Sequence, residues 1–121
     1  MSNKSLGSQL VSWSTEREID KQNPDRNGYC ANVTEELGEW LKAWDDDDEH
    51  EKIDALGDNI VFSGTEMIKM GYNPDKVLAE VFKELNSRTG AWSDEDQKWK
   101  KFKTEEAKSK WYKADFKGCK L

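Results

Sequence analysis

The stretch Glu35-Glu36-Leu37-Gly38-Glu39, read with Asp54-Ala55-Leu56-Gly57-Asp58, decides how this chain is understood. The first segment places three carboxylates at i, i+1 and i+4 of a predicted helix. The second places two at i and i+4 of the next. Around the first, Val33, Leu37, Trp40, Leu41 and Trp44 recur at helical spacing, so one face of a helix over about 29–44 is predicted to be buried. Glu36 falls on that apolar side, and Glu35 and Glu39 flank it. Carboxylates beside an apolar face are costly unless a cation or hydrogen-bond donors compensate them. Hard divalent ions such as Mg²⁺ take oxygen ligands of this kind. Two readings stay open for Glu35, Glu36 and Glu39 alone: a solvated acidic helix face, or half of a metal site.

The following helix, predicted over about 52–71, carries Ile53, Leu56, Ile60, Val61, Phe62, Met67 and Ile68 nearly all round, as an inner helix does. Asp54 and Asp58 stand out against that background and need a partner. Gly64 within it costs about 1 kcal/mol relative to Ala, which close approach of another helix would explain. Between the two helices, Asp45 to Glu51 is almost entirely acidic and reads as a solvated loop or helix N-terminus. It lacks the alternating pattern of a calcium loop.

Upstream, Leu6, Leu10, Trp13, Arg17 and Asp20 follow helical spacing to about Lys21, and Asn23-Pro24-Asp25-Arg26-Asn27-Gly28 ends that helix. Downstream, Gly71-Tyr72-Asn73-Pro74-Asp75 stops one helix and starts another. The latter runs over about 75–88, with Val77, Leu78, Val81, Phe82 and Leu85 on one face. Residues 91–121 differ: Trp92, Trp99, Phe102, Trp111, Tyr112 and Phe116 alternate with lysines, and a short helix is expected near Thr104 to Tyr112. Such aromatics either pack across an acidic body with lysine stems snorkelling or stack bases while lysines neutralise phosphates.

Composition bounds these readings. The chain has 121 residues, 35% apolar and 36% charged, so a single domain with a modest core is expected, finished by oligomerisation. Nine lysines against three acids give residues 98–121 a charge of +6, which leaves −12 on residues 1–97 from a total of −6. That acidic body opposes direct nucleic-acid binding. No apolar run reaches the roughly 18 residues of a bilayer span, and no signal peptide is expected. Cys30 and Cys119 are read as free thiols of a reducing cytoplasm, and one His with no paired Cys argues against zinc.

In this order the elements resemble the all-α nucleoside triphosphate pyrophosphohydrolase superfamily, whose signature is Glu-Glu-x-x-Glu on one helix and Glu-x-x-Asp on the next. Glu35, Glu36 and Glu39 match the first part and Asp58 ends the second. The chain is most similar to phage-encoded MazG-like members through Ile53-Asp54-Ala55-Leu56-Gly57-Asp58, Gly64-Thr65, Met70-Gly71-Tyr72-Asn73-Pro74, Asn86-Ser87-Arg88-Thr89-Gly90 and Lys110-Trp111-Tyr112-Lys113-Ala114-Asp115-Phe116. The motif's second Glu falls on Ala55, for which Asp54 is the natural substitute.

The resemblance implies a four-helix MazG-like bundle as one domain over 1–121, with a core over about 6–90 and a Lys/aromatic extension over about 91–121. It implies hydrolysis of a nucleoside triphosphate to the monophosphate and pyrophosphate with Mg²⁺ or Mn²⁺, with purine deoxynucleotides weakly preferred. Glu36, Glu39 and Asp58 would be core ligands, Glu35 a ligand or the group that orients water, and Asp54 a further ligand. Arg88, Asn86 and Lys113 would contact phosphate or base and Trp111 would stack on the base. A homodimer or homotetramer is expected, without membrane association, in the cytoplasm (the host's, if phage-encoded). The competing class is a non-catalytic acidic interaction protein that mimics the charge of DNA.

Overall fold

The computed structural model describes residues 4–121, which fold mostly as helices with one small two-stranded sheet. The helices are α1 (Leu6–Glu16), α2 (Arg26–Asp45), α3 (Glu49–Lys69), α4 (Pro74–Asn86) and α5 (Glu105–Ser109). Strands β1 (Gly90–Ser93) and β2 (Lys98–Lys101) pair as an antiparallel hairpin. Among the described residues two compact units result: one running to Asp75 and including Leu121, and one over residues 76–120. The helical class expected from periodicity is present. The hairpin was not expected, and α4 groups with the extension, not with the first three helices.

In the first unit each helix starts on a side-chain cap. Ser5 accepts from the Ser8 amide, Asp25 from Gly28 and Asp48 from Glu51, so orphan first-turn amides are satisfied. The acidic run therefore ends as a cap and first turn, with Asp48, Glu49 and Glu51 at the positive end of the α3 dipole. α1 is shorter than its apolar spacing predicts. The chain leaves it at Arg17, Glu18 turns left-handed at φ 59°, and a separate 3₁₀ turn spans Ile19–Lys21. An ion pair from Lys21 to Glu18 at 2.8 Å holds that turn.

The α3 C-terminus is a Schellman stop. The Gly71 amide donates to the Ile68 carbonyl and the Tyr72 amide to Met67, both at 2.9 Å, with Gly71 at φ +89°. Asp75 then accepts from the Gly7 amide at 3.1 Å and from the Ser5 hydroxyl, tying the start of α4 to the start of α1.

α2 and α3 pack antiparallel and form the centre of this unit, with α1 laid on α3. The α1 contact explains Gly64: a Cβ there would overlap the Leu10 side chain. Buried apolar groups among the described residues are few, namely Ala43, Ala55 and Ile68 in this unit and Cys119 in the other. Leu37, Leu41, Trp44, Ile53, Leu56 and Ile60 are exposed instead, with Ile60 at 71%. The inner-helix expectation for α3 thus holds only along the faces that α1 and α2 cover. Both cysteines are free, and no helix among the described residues is long and apolar enough to cross a membrane.

Replacing Gly71 tests the local argument. Gly71→Ala forces a Cβ into the left-handed region and is expected to cost about 1–2 kcal/mol, read as a lower urea midpoint at unchanged m-value.

Candidate metal centre on the α2–α3 seam

Three contacts set the α2–α3 register. The Asp25 amide donates to Glu66 at 3.1 Å, Tyr29 and Ser63 share a hydrogen bond of 2.8 Å, and the Lys52 ammonium sits 3.8 Å from the centre of the Trp44 ring. Running down α2 while running up α3, these pairs place Glu36 opposite the segment around Ala55 and Asn59. Glu36 and Ala43 are the buried positions of α2, and Lys52 and Ala55 are buried at the facing end of α3.

Each helix advances about 100° per residue, so neighbours of the seam positions diverge to its two sides. In an antiparallel pair the residue after a seam position points to the same side on both helices. Leu37, Leu41, Ile53, Leu56 and Ile60 follow Glu36, Trp40, Lys52, Ala55 and Asn59, and so share one flank with Trp44. Glu35, Glu39, Asp54 and Asp58 share the other. The hairpin has an apolar flank and an acidic flank, with Glu36 between them.

Glu36 is the unusual group. It is buried, and its Oε2 has no hydrogen-bond partner. Burial pushes its carboxyl up to about 7, helped by a hydrogen bond with Glu39 and by the negative charges of Glu39, Asp58 and Glu35. Those four carboxylates are therefore brought into one electrostatic neighbourhood. Asp58 is half-buried, whereas Glu35, Glu39 and Asp54 are exposed. Ala55, where the resemblance would place a second Glu, faces into the seam at 2% exposure. Asp54 belongs to the acidic flank but is not among the charges that raise Glu36.

No three His, Cys, Asp or Glu side chains among the described residues are gathered into a ready metal-holding group. The donor chemistry nevertheless suits a hard cation: all the groups are carboxylates, one has an orphan buried oxygen, and Lys52 is turned to Trp44 and to Glu49 at 3.9 Å. Two seam groups were not foreseen from sequence, Lys52 and Asn59, whose Oδ1 is buried without a partner. The available signal was a polar residue at each of positions 52 and 59, on the same helical face as Ala55.

The other predicted contacts lie in the second unit. Arg88 pairs with Glu84 at 3.1 Å, and its guanidinium lies 5.2 Å from the centre of the Trp111 ring. The Lys101 ammonium lies at 5.2 Å from the same ring. Asn86 and Lys113 are exposed, and Trp111 is half-buried. The extension is anchored by Tyr112, whose amide donates to Ser87 at 2.7 Å and whose hydroxyl donates to Glu80 at 2.5 Å. That hydrogen bond, with burial and the Glu80 charge, pushes the Tyr112 phenol up to about 12.

The Glu36 shift gives a pH signature for metal-free protein. The folded chain holds the Glu36 proton more tightly than the unfolded chain, whose carboxyl has its ordinary value of 4.5. Its contribution is therefore fully present below about pH 4.5 and is lost as pH rises through about 7. In EDTA the melting temperature is expected to carry a falling component across that window. Glu36→Gln should remove the component and melt higher than the parent at pH 8. An identical pH profile in the two proteins would refute the assignment.

Comparisons of the chain with protein-family models, with curated proteins and with solved structures return no match.

Proposed function

We propose that the first unit is a metal-dependent nucleoside triphosphate pyrophosphohydrolase of MazG-like type. Glu36 carries the reading: a buried carboxylate with an orphan oxygen, surrounded by Glu35, Glu39 and Asp58, is a surplus of negative charge that a divalent cation would compensate.

In this reading Glu36, Glu39 and Asp58 hold Mg²⁺ or Mn²⁺, and Asp54 extends the set along the acidic flank. Bound metal would supply neutralisation of the triphosphate and polarisation of its α-phosphoryl oxygen. Glu35, exposed at the edge, serves as a ligand or accepts a proton from the water that attacks the α-phosphorus. Pyrophosphate then leaves and the nucleoside monophosphate remains. Arg88, Asn86, Lys113 and Trp111 are the phosphate and base contacts proposed for the second unit. Purine deoxynucleotides are the favoured substrates, and adjustment of the nucleotide pool is the favoured role.

The open apolar flank belongs to the same proposal. Six exposed apolar side chains on one side of a helical hairpin resemble half of a bundle core. A second copy docked there completes a four-helix arrangement and leaves the acidic flank facing solvent. The homodimer is thus the minimal active species, with a homotetramer as the larger alternative. The exposure of Glu35, Glu39 and Asp54 favours the competing reading, a non-catalytic acidic surface.

Incubation with a panel of deoxynucleoside triphosphates and Mg²⁺ or Mn²⁺ separates the two. Monophosphate and pyrophosphate in equal amounts are expected. Glu39→Gln and Asp58→Asn should each lower the rate by at least the roughly 10–100-fold that even outer-shell partners of metal ligands cost. No turnover, together with no metal effect on melting temperature, would sink the enzyme reading and leave the acidic-surface one. Light scattering of Ile60→Glu should show loss of the oligomer.

A further inference from the structure

The β1–β2 hairpin presents aromatic and cationic groups that the proposed hydrolase chemistry does not use. Trp92 and Trp99 are cross-strand partners and therefore lie on one face. They remain 59% and 52% exposed. Gly90 makes this face possible: a Cβ there would overlap the Trp99 indole and the Lys100 carbonyl, so the ring packs against the glycine. Phe102, just beyond β2, is also exposed.

The cations are concentrated on β2, which has a partner on one side only. Lys98, Trp99, Lys100, Lys101 and Lys103 line an open cavity of about 310 Å³. Lys100 is tied to Asp96 at 2.5 Å, while Lys98 and Lys103 make no ion pair among the described residues. The Trp92 indole N–H donates to Asp94 at 3.1 Å, which fixes that ring without covering its face. Two large indoles left in water beside a row of ammonium groups are an unpartnered surface with a definite chemical character.

We propose that this hairpin binds single-stranded nucleic acid, with bases stacking on Trp99 and Trp92 and phosphates running along Lys98, Lys101 and Lys103. Every base offers a π-face to an indole, and the backbone offers one negative charge per nucleotide, so both halves of the surface are matched by one ligand. A duplex keeps its bases stacked internally and leaves the indoles unmatched. A second copy of the same face would bring Lys98, Lys100, Lys101 and Lys103 against themselves. An anionic bilayer would meet the hairpin tip first, and the tip is Asp94-Glu95-Asp96. The proposal is independent of the carboxylate site, and it departs from the expectation, drawn from the acidic net charge, of no direct nucleic-acid contact.

The test is fluorescence anisotropy of fluorescein-labelled oligo(dT), longer than the roughly 4–16 nucleotides of a typical single-strand site, with the full chain in EDTA. EDTA silences any metal-dependent nucleotide site, so hydrolase failure and hairpin failure are read separately. Saturable binding is expected with Kd between about 10⁻⁶ and 10⁻⁴ M. With three lysines engaged, log K should fall against log salt with a slope near −2, at roughly −0.7 per phosphate on a single strand.

Trp99→Ala should weaken binding at least about five-fold, the lower end of what one stacked base contributes. Trp92→Ala serves as the second stacking variant, at the cross-strand partner of Trp99. Lys98→Gln with Lys103→Gln should flatten the salt slope by about 1.4. Three outcomes overturn the proposal: no binding at 50 mM salt, affinity for duplex equal to that for single strand, or tryptophan variants that bind like the parent. Capture by phosphatidylserine vesicles without oligonucleotide binding, or self-association that the tryptophan variants abolish, would equally overturn it.

Discussion

Burial of the Glu36 carboxyl in the α2–α3 seam is the constraint on which the first unit turns. Two helices of about 20 residues meet along a narrow line whose closed positions are small or polar: Ala43, Ala55, Lys52 and Glu36. Small residues let the backbones approach, and the polar contacts at the ends fix the register through Tyr29–Ser63, Asp25–Glu66 and Lys52–Trp44. A seam of Leu and Ile would bury more apolar area but would tolerate sliding. Once the register is fixed, Glu36 has no way out, and the neighbouring carboxylates can only raise the cost of ionising it. Stability is thus given up at one position, which is how sites of chemistry are commonly recognised.

The same register divides the hairpin's outer surface. Because successive residues step about 100°, a single polar seam position separates the acids that precede it from the apolar residues that follow it. Glu35 and Leu37 are separated in sequence only by Glu36 and lie on opposite flanks. The division accounts for part of the exposed apolar surface. Leu37, Leu41 and Trp44 on α2 and Ile53, Leu56 and Ile60 on α3 form two stripes at helical spacing, and α1 covers the same side of α3 farther along, at Gly64.

Periodicity located α2, α3 and α4 to within a few residues, because each carries an apolar repeat bounded by strong stop signals. Gly71 and Pro74 are the clearest of these, since a left-handed stop and a residue without an amide leave few alternatives. The spacing overextends α1 because Arg17 and Asp20 keep the helical interval although the helix ends at Glu16 and the chain turns at Glu18. The hairpin is hard to read from sequence because its turn, Asp94 to Gln97, lacks glycine and reaches positive φ at Gln97. Its strands alternate only in a lysine-rich background, where a period of two is easily read as solvated coil.

For the carboxylates, helical spacing separates Glu36, on the apolar side of α2, from Glu35 and Glu39 on its flank, and the structure buries Glu36 alone of the three. Spacing does not show how far the partner helix closes over that side. Ala55 shows the same limit from the other side. As an apparent gap in an acidic motif it looks like a weakness, whereas in the seam it is one of the most completely buried residues of the chain. A glutamate there would add a second carboxylate to the enclosure that already raises the Glu36 carboxyl to about 7. A charge one position earlier, at Asp54, lies on the acidic flank in contact with water and leaves the seam itself to Glu36.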